Sequence, residues 1–123
     1  VITNIKTVAL YVRDQQQSLD FYAGKLGFEV RTDSDMGPMG RWLEVAPPGA
    51  QTVLVLADGA KFGKPDRVGQ SADITFVTDD VDGLYKELTA KGVTVAEPEK
   101  QEWGTFLRLS DPDGHEFVVS EQR

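Results

Sequence analysis

Cysteine is absent from this chain and histidine occurs once. Disulfides, thiolate metal sites and cysteine nucleophiles are thereby excluded, and a nucleophile–base–orienter triad has no credible parts. Positive charge is the minority sign: 13 Lys and Arg stand against 20 Asp and Glu, a net charge of −7, and the cations are scattered. Nucleic acid is not an expected partner, because affinity for its backbone rests on clustered cations that neutralise phosphates. No run approaches the roughly 20 apolar residues of a membrane span, so no membrane partner is expected. There is no Gly-rich phosphate loop with its Lys and Ser/Thr, and the amino-terminal stretch lacks the basic and apolar regions of a signal peptide. A cytoplasmic location is the expectation.

What the chain does contain is a repeat. Residues 7–30, TVALYVRDQQQSLDFYAGKLGFEV, return in degenerate form as residues 73–95, DITFVTDDVDGLYKELTAKGVTV. Val8, Leu10, Asp14 and Tyr22 fall on Ile74, Phe76, Asp80 and Leu88, and Gly27, Phe28 and Val30 fall on Gly92, Val93 and Val95. Each copy opens with period-two alternation, a strand signal. Each then changes to helical spacing. Asp14 caps a helix to about Lys25 with Leu19, Tyr22 and Leu26 as its apolar stripe, and Gly27 ends it; Asp79 or Asp80, the stripe Val81, Leu84 and Leu88, and Gly92 do the same in the second copy.

The remaining segments complete the plan. Residues 32–40, TDSDMGPMG, mix Gly, Pro, Ser and Asp without periodicity and read as a long mobile loop, whose Met36 and Met39 can close over a ligand. Alternation in residues 41–45 and 52–56, joined by APPGA, predicts a hairpin. The polar stretch 58–72 reads as a linker. In the second half a connection over 98–103 leads to a strand at 105–110, the turn Asp111-Pro112-Asp113-Gly114, and a strand at 116–119. The predicted fold is α+β: one domain of two tandem β-α-β-β-β modules, residues 1–57 and 73–123. With 40% hydrophobic residues the chain is long enough for a single shared core.

The doubled plan, the VRD-x3-SLDFY-x3-LGFEV opening and the DPDGHEF close resemble the vicinal oxygen chelate superfamily, which includes glyoxalase I, bleomycin resistance proteins, fosfomycin-modifying enzymes and extradiol dioxygenases. The resemblance implies curved mixed sheets around a concave cavity with helices outside, and a functional unit that is often a homodimer. Strand parity then assigns Thr7, Ala9, Tyr11, Trp42, Glu44, Val53 and Val55 to the cavity side in the first half. In the second half it assigns Asp73, Thr75, Phe106, Arg108, Glu116 and Val118. Enzymes of the superfamily bind one divalent metal through His or Glu. Carried over by motif, their ligand positions are Thr7, Val55, Asp73 and Val118, of which only Asp73 is a good ligand. No metal, cofactor or catalytic residue is therefore assigned, and His115 reads as a solvated turn residue.

The expected ligand-binding set is Thr7, Tyr11, Trp42, Glu44, Asp73, Trp103, Phe106, Arg108 and Glu116, with Trp103 at a rim. Aromatic faces and placed carboxylates suit a planar or cationic organic ligand. The reading is a metal-independent small-molecule binder resembling the bleomycin-type resistance proteins, sequestering an antibiotic or metabolite in the cleft of a homodimer. The alternative is a glyoxalase-like or dioxygenase-like enzyme, with lyase, isomerase or oxygenase chemistry. It would use a displaced carboxylate site of Glu44, Asp73 and Glu116 for a hard cation, or a carboxylate base.

Overall fold

Strand β1 (Thr7–Val12) realises the alternation of TVALYV: Leu10 and Val12 are buried, and Thr7 and Ala9 are exposed. The computed structural model describes residues 1–122, with Met39 described by its backbone alone. Two compact units divide the chain, one covering residues 1–70 and the other beginning at Ser71.

In the first unit the Asp14 carboxylate accepts from the Gln17 amide at 3.1 Å, which caps α1 (Gln15–Leu19). The helix then widens into a π turn over Asp20–Lys25, where the Leu26 amide donates to the Phe21 carbonyl five residues back. That winding rotates the buried face. Ser18, Phe21 and Tyr22 go into the core, whereas Leu19 and Leu26 of the expected stripe stay half-buried. Gly27, at φ +76°, ends the helical segment.

Strands β2 (Glu29–Asp35), β3 (Arg41–Ala46) and β4 (Val53–Asp58) complete a sheet of order β1-β4-β3-β2, with β1 and β4 parallel. The expected mobile loop over 32–40 is corrected. After a register shift between Val30 and Thr32, β2 continues to Asp35 opposite Arg41, leaving a tight connection in which the Met36 amide donates to the Gly40 carbonyl. Its polar residues belong to a sheet edge with little to bury, so no alternation marks it. Met36 is exposed on this turn, and the side chain of Met39 lies outside the described residues. Where the ladder between β3 and β4 ends, the Gln15 amide donates to the carbonyls of Arg41 (2.6 Å) and Leu56 (2.8 Å) and bridges the parting strands.

The stretch expected as a linker belongs largely to this first unit, which runs to Gln70. The chain folds back at Gly59: the Lys64 amide donates to the Gly59 carbonyl at 2.7 Å, and a 3-10 turn follows at Pro65–Arg67. A Cβ at Gly59 would lie 2.5 Å from the Val68 side chain, so glycine is required for this return.

The second unit consists of β5 (Thr75–Thr78), α2 (Val81–Ala90), β6 (Thr94–Val95), β7 (Glu99–Gln101), β8 (Gly104–Ser110) and β9 (Glu116–Glu121). Asp80 is the cap, accepting from the Gly83 amide at 2.9 Å. The α2 residues Val81 and Leu88 are fully buried, as are the sheet residues Leu107 and Phe117, with Leu109 and Val119 buried beside them. The sheet order is β5-β9-β8-β6, and β5 runs parallel to β9. The connection expected over 98–103 contains β7, which pairs with β8 as Glu99 opposite Phe106. Three polar residues carry no periodicity by which sequence could mark a strand.

Candidate functional site

The ladder registers extend the face of Thr7, Ala9 and Tyr11 across the first sheet. Val53, Val55 and Ala57 lie opposite those three residues, Glu44 opposite Val55, and Thr32 opposite Glu44. Glu44 is half-buried, and each of its oxygens receives a neutral donor: the Thr32 hydroxyl at 2.7 Å and the Trp42 indole N–H at 3.1 Å. A carboxylate has about four lone-pair sites, so Glu44 is oriented but not saturated. Phe62 lies beside Trp42, with ring centroids 6.4 Å apart. Tyr11 lies beneath two cations, Lys64 Nζ at 5.5 Å and Arg67 Cζ at 5.4 Å from its ring centroid.

Thr32 and Phe62 are members of this group that sequence reasoning missed. Thr32 sits in the stretch that reads as a loop, and Phe62 in the stretch that reads as a linker. A signal for Phe62 existed, since it is the one aromatic residue in DGAKFGKPDRVGQSA. Beyond the group, on the β2–β3 edge, Arg41 grips Asp33 through two bonds of 2.7 Å. Those bonds hold the Asp33 carboxyl below its ordinary value of 3.8 and raise Arg41.

In the second unit Asp73, Arg108 and Glu116 come together around a cavity of about 310 Å³, with Ser71, Thr75 and Val118 also on its wall. Asp73 has left-handed backbone, φ 54°, and its amide donates to the Ser71 hydroxyl at 3.2 Å. Arg108 is committed to Glu99 at 2.9 Å and lies 5.3 Å from the ring of Phe106. Phe106 is buried and stacks on Trp103 at 5.1 Å, while Trp103 itself is 71% exposed. Neither aromatic is among the described residues that line the cavity.

The positions matched to the superfamily's metal ligands do not fit a divalent ion. Thr7 is an exposed hydroxyl, Val55 is buried, Val118 is half-buried, and only Asp73 carries a strong donor. Three or four basic, oriented ligands are required, so no step through a metal is derived. Among the described residues, three ligating side chains do meet at Asp111, Asp113 and His115, with donor atoms within 4.8 Å of one another. That group builds the turn. Asp111 Oδ1 accepts from the amides of Asp113 (3.0 Å) and His115 (2.8 Å), and Oδ2 pairs with His115 Nδ1 at 2.7 Å. The expectation of a solvated His115 is corrected: the ring is 1% exposed, on the same strand side as buried Phe117 and Val119.

Residues 4–119 match the family model of the Glyoxalase/Bleomycin resistance protein/Dioxygenase superfamily. The chain is 41% identical over 122 residues to the uncharacterized protein YetH of Bacillus subtilis (strain 168), covering 98% of this chain and 100% of that one. Among solved structures it is similar to a superfamily member from Sphaerobacter thermophilus DSM 20745, with TM-score 0.91, 36% identity and 98% coverage of both chains. It is also similar to TnmS3, an antibiotic binding protein from Streptomyces sp. CB03234, with TM-score 0.85, 35% identity, and coverage of 99% of this chain and 98% of that one. By its repeated units, its opening and closing motifs and these matches, the chain belongs to the Glyoxalase/Bleomycin resistance protein/Dioxygenase superfamily.

Proposed function

We propose that this protein binds a planar small organic molecule without a metal and sequesters it, working as a homodimer in the cytoplasm. One observation carries the reading: Glu44 is held by Thr32 and Trp42 on a sheet face that also bears Phe62 and Tyr11. A carboxylate already oriented by two neutral donors offers its remaining lone pairs to a ligand N–H or O–H without reorganising. The adjacent rings supply flat apolar area, and such aromatic contacts add about 0.5–1.5 kcal/mol each beyond area burial. The likeness to TnmS3, named an antibiotic binding protein, supports a binding role at 35% identity.

The test combines calorimetry with a thermal melt. Planar aromatic compounds are titrated into wild type and Trp42→Ala. The substitution is expected to weaken binding at least about tenfold, ~1.4 kcal/mol, with the melting temperature kept within a few degrees. Unfolding of Trp42→Ala would instead make Trp42 a core residue. Saturable one-per-chain uptake of Ni, Mn, Zn or Fe(II) by chelator-treated protein would overturn metal independence and bring the enzyme alternative forward.

A further inference from the structure

Lys64 and Arg67 pose a charge problem that the binding reading leaves unanswered. Both approach one ring, Tyr11, at 5.5 and 5.4 Å from its centroid, so two like charges share one aromatic side chain. The chain has 20 acidic residues to neutralise 13 basic ones. Among the described residues neither Lys64 nor Arg67 has a carboxylate within ion-pair distance; Lys6, Lys61, Lys86 and Lys100 share that lack, but Lys64 and Arg67 also converge on one ring. An aromatic face attracts each cation by only about 0.5–1 kcal/mol at an exposed site, and it does nothing to relieve their mutual repulsion.

We propose that Lys64 and Arg67 are the anion-recognising end of the first unit's ligand face, so that the molecule bound is a planar aromatic acid. This rests on the binding reading and names the ligand class. The segment that carries the two cations also carries Phe62 against Trp42, so one fold-back supplies both a ring contact and the charge. Glu44 does not contradict an acid. Tyr11 and Glu44 are two strands across and two residues along from one another, which strand spacing makes roughly 12 Å between Cα atoms. The acid of the ligand lies at the Tyr11 end, and a hydroxyl or N–H lies toward Glu44. An anion at this end gains charge-assisted bonds from the cations and offsets the repulsion between them.

The experiment uses three matched probes, naphthoate, naphthamide and naphthylmethylammonium, titrated calorimetrically into the full chain and into the Lys64→Gln/Arg67→Gln double variant. Both side chains are exposed, and a thermal melt verifies folding. Naphthoate is expected to bind about tenfold more tightly than the ammonium probe. The double variant should lose that preference while keeping the wild-type affinity for naphthamide. If the ammonium probe binds as tightly as naphthoate, or if the preference survives the double variant, the proposal fails and the binding reading stands. Failure of all three probes to bind wild type removes the planar-molecule reading and this proposal together.

Discussion

In the first unit Glu44 lies opposite Val55, itself opposite Ala9; in the second, Arg108 lies opposite Val118, itself opposite Thr75. These are the same row of two related sheets, occupied by opposite charges. An aromatic residue stands two places earlier on each strand, Trp42 and Phe106. The surroundings differ in kind. Glu44 is held by two neutral donors, whereas Arg108 is paired with the carboxylate of Glu99. One row further along β1 and β5, Tyr11 carries two cations while Val77 is bare and exposed. The two halves share a pairing register and differ in side-chain chemistry, because the register is set by which face each strand buries and not by the residues on the other face.

The largest test of this comparison lies behind the sheets, in the helical segments. Tyr22 of the π turn and Leu88 of α2 are both fully buried. Tyr22→Ala is expected to cost about 3–5 kcal/mol and Leu88→Ala about 2–5 kcal/mol in urea unfolding. A cost below about 1 kcal/mol for Tyr22→Ala would show that the π turn is not the anchor of its unit. Next come the paired charges. Glu44→Leu strands two part-buried donors and should cost about 1–2 kcal/mol, whereas Arg108→Leu breaks an exposed pair and should stay within about 0.5 kcal/mol. Equal costs would erase the distinction between held and paired charge.

The helix caps should behave alike. Asp14→Ala and Asp80→Ala each remove one bond to an amide and should each cost about 1 kcal/mol. The smallest effect is the acid limb of the first unit's edge. Asp33 is depressed below 3.8 by Arg41, so the pair stabilises fully above about pH 4 and loses that contribution as pH falls through the Asp33 value. Asp33→Asn should flatten the stability profile below about pH 4 and lower stability slightly at neutral pH, where the pair contributes in full.

Parity placed Tyr11, Trp42 and Glu44 on one face because period-two alternation is local and needs no knowledge of partners. The caps at Asp14 and Asp80 were legible for the same reason. Extension of β2 to Asp35 was not, since an edge strand that buries nothing has no apolar period. The position of Phe62 depends on a fold-back that glycine at residue 59 allows but does not announce. Burial of His115 follows from its bond to Asp111, a contact across a turn that reads equally well as solvated. The π winding was invisible because Leu19, Phe21, Tyr22 and Leu26 offer apolar stripes to either helix.

Both sheets pair their first strand with their last, Thr7 with Val53 and Thr75 with Val118. During synthesis at roughly 5–20 residues per second, β1 therefore waits roughly 2–9 s for β4 to be made. Throughout that interval Leu10 and Val12 have no sheet neighbour. The same delay recurs between β5 and β9. Such distant closure slows folding, so each half spends its first seconds as an open sheet, vulnerable to other nascent chains until its final strand arrives.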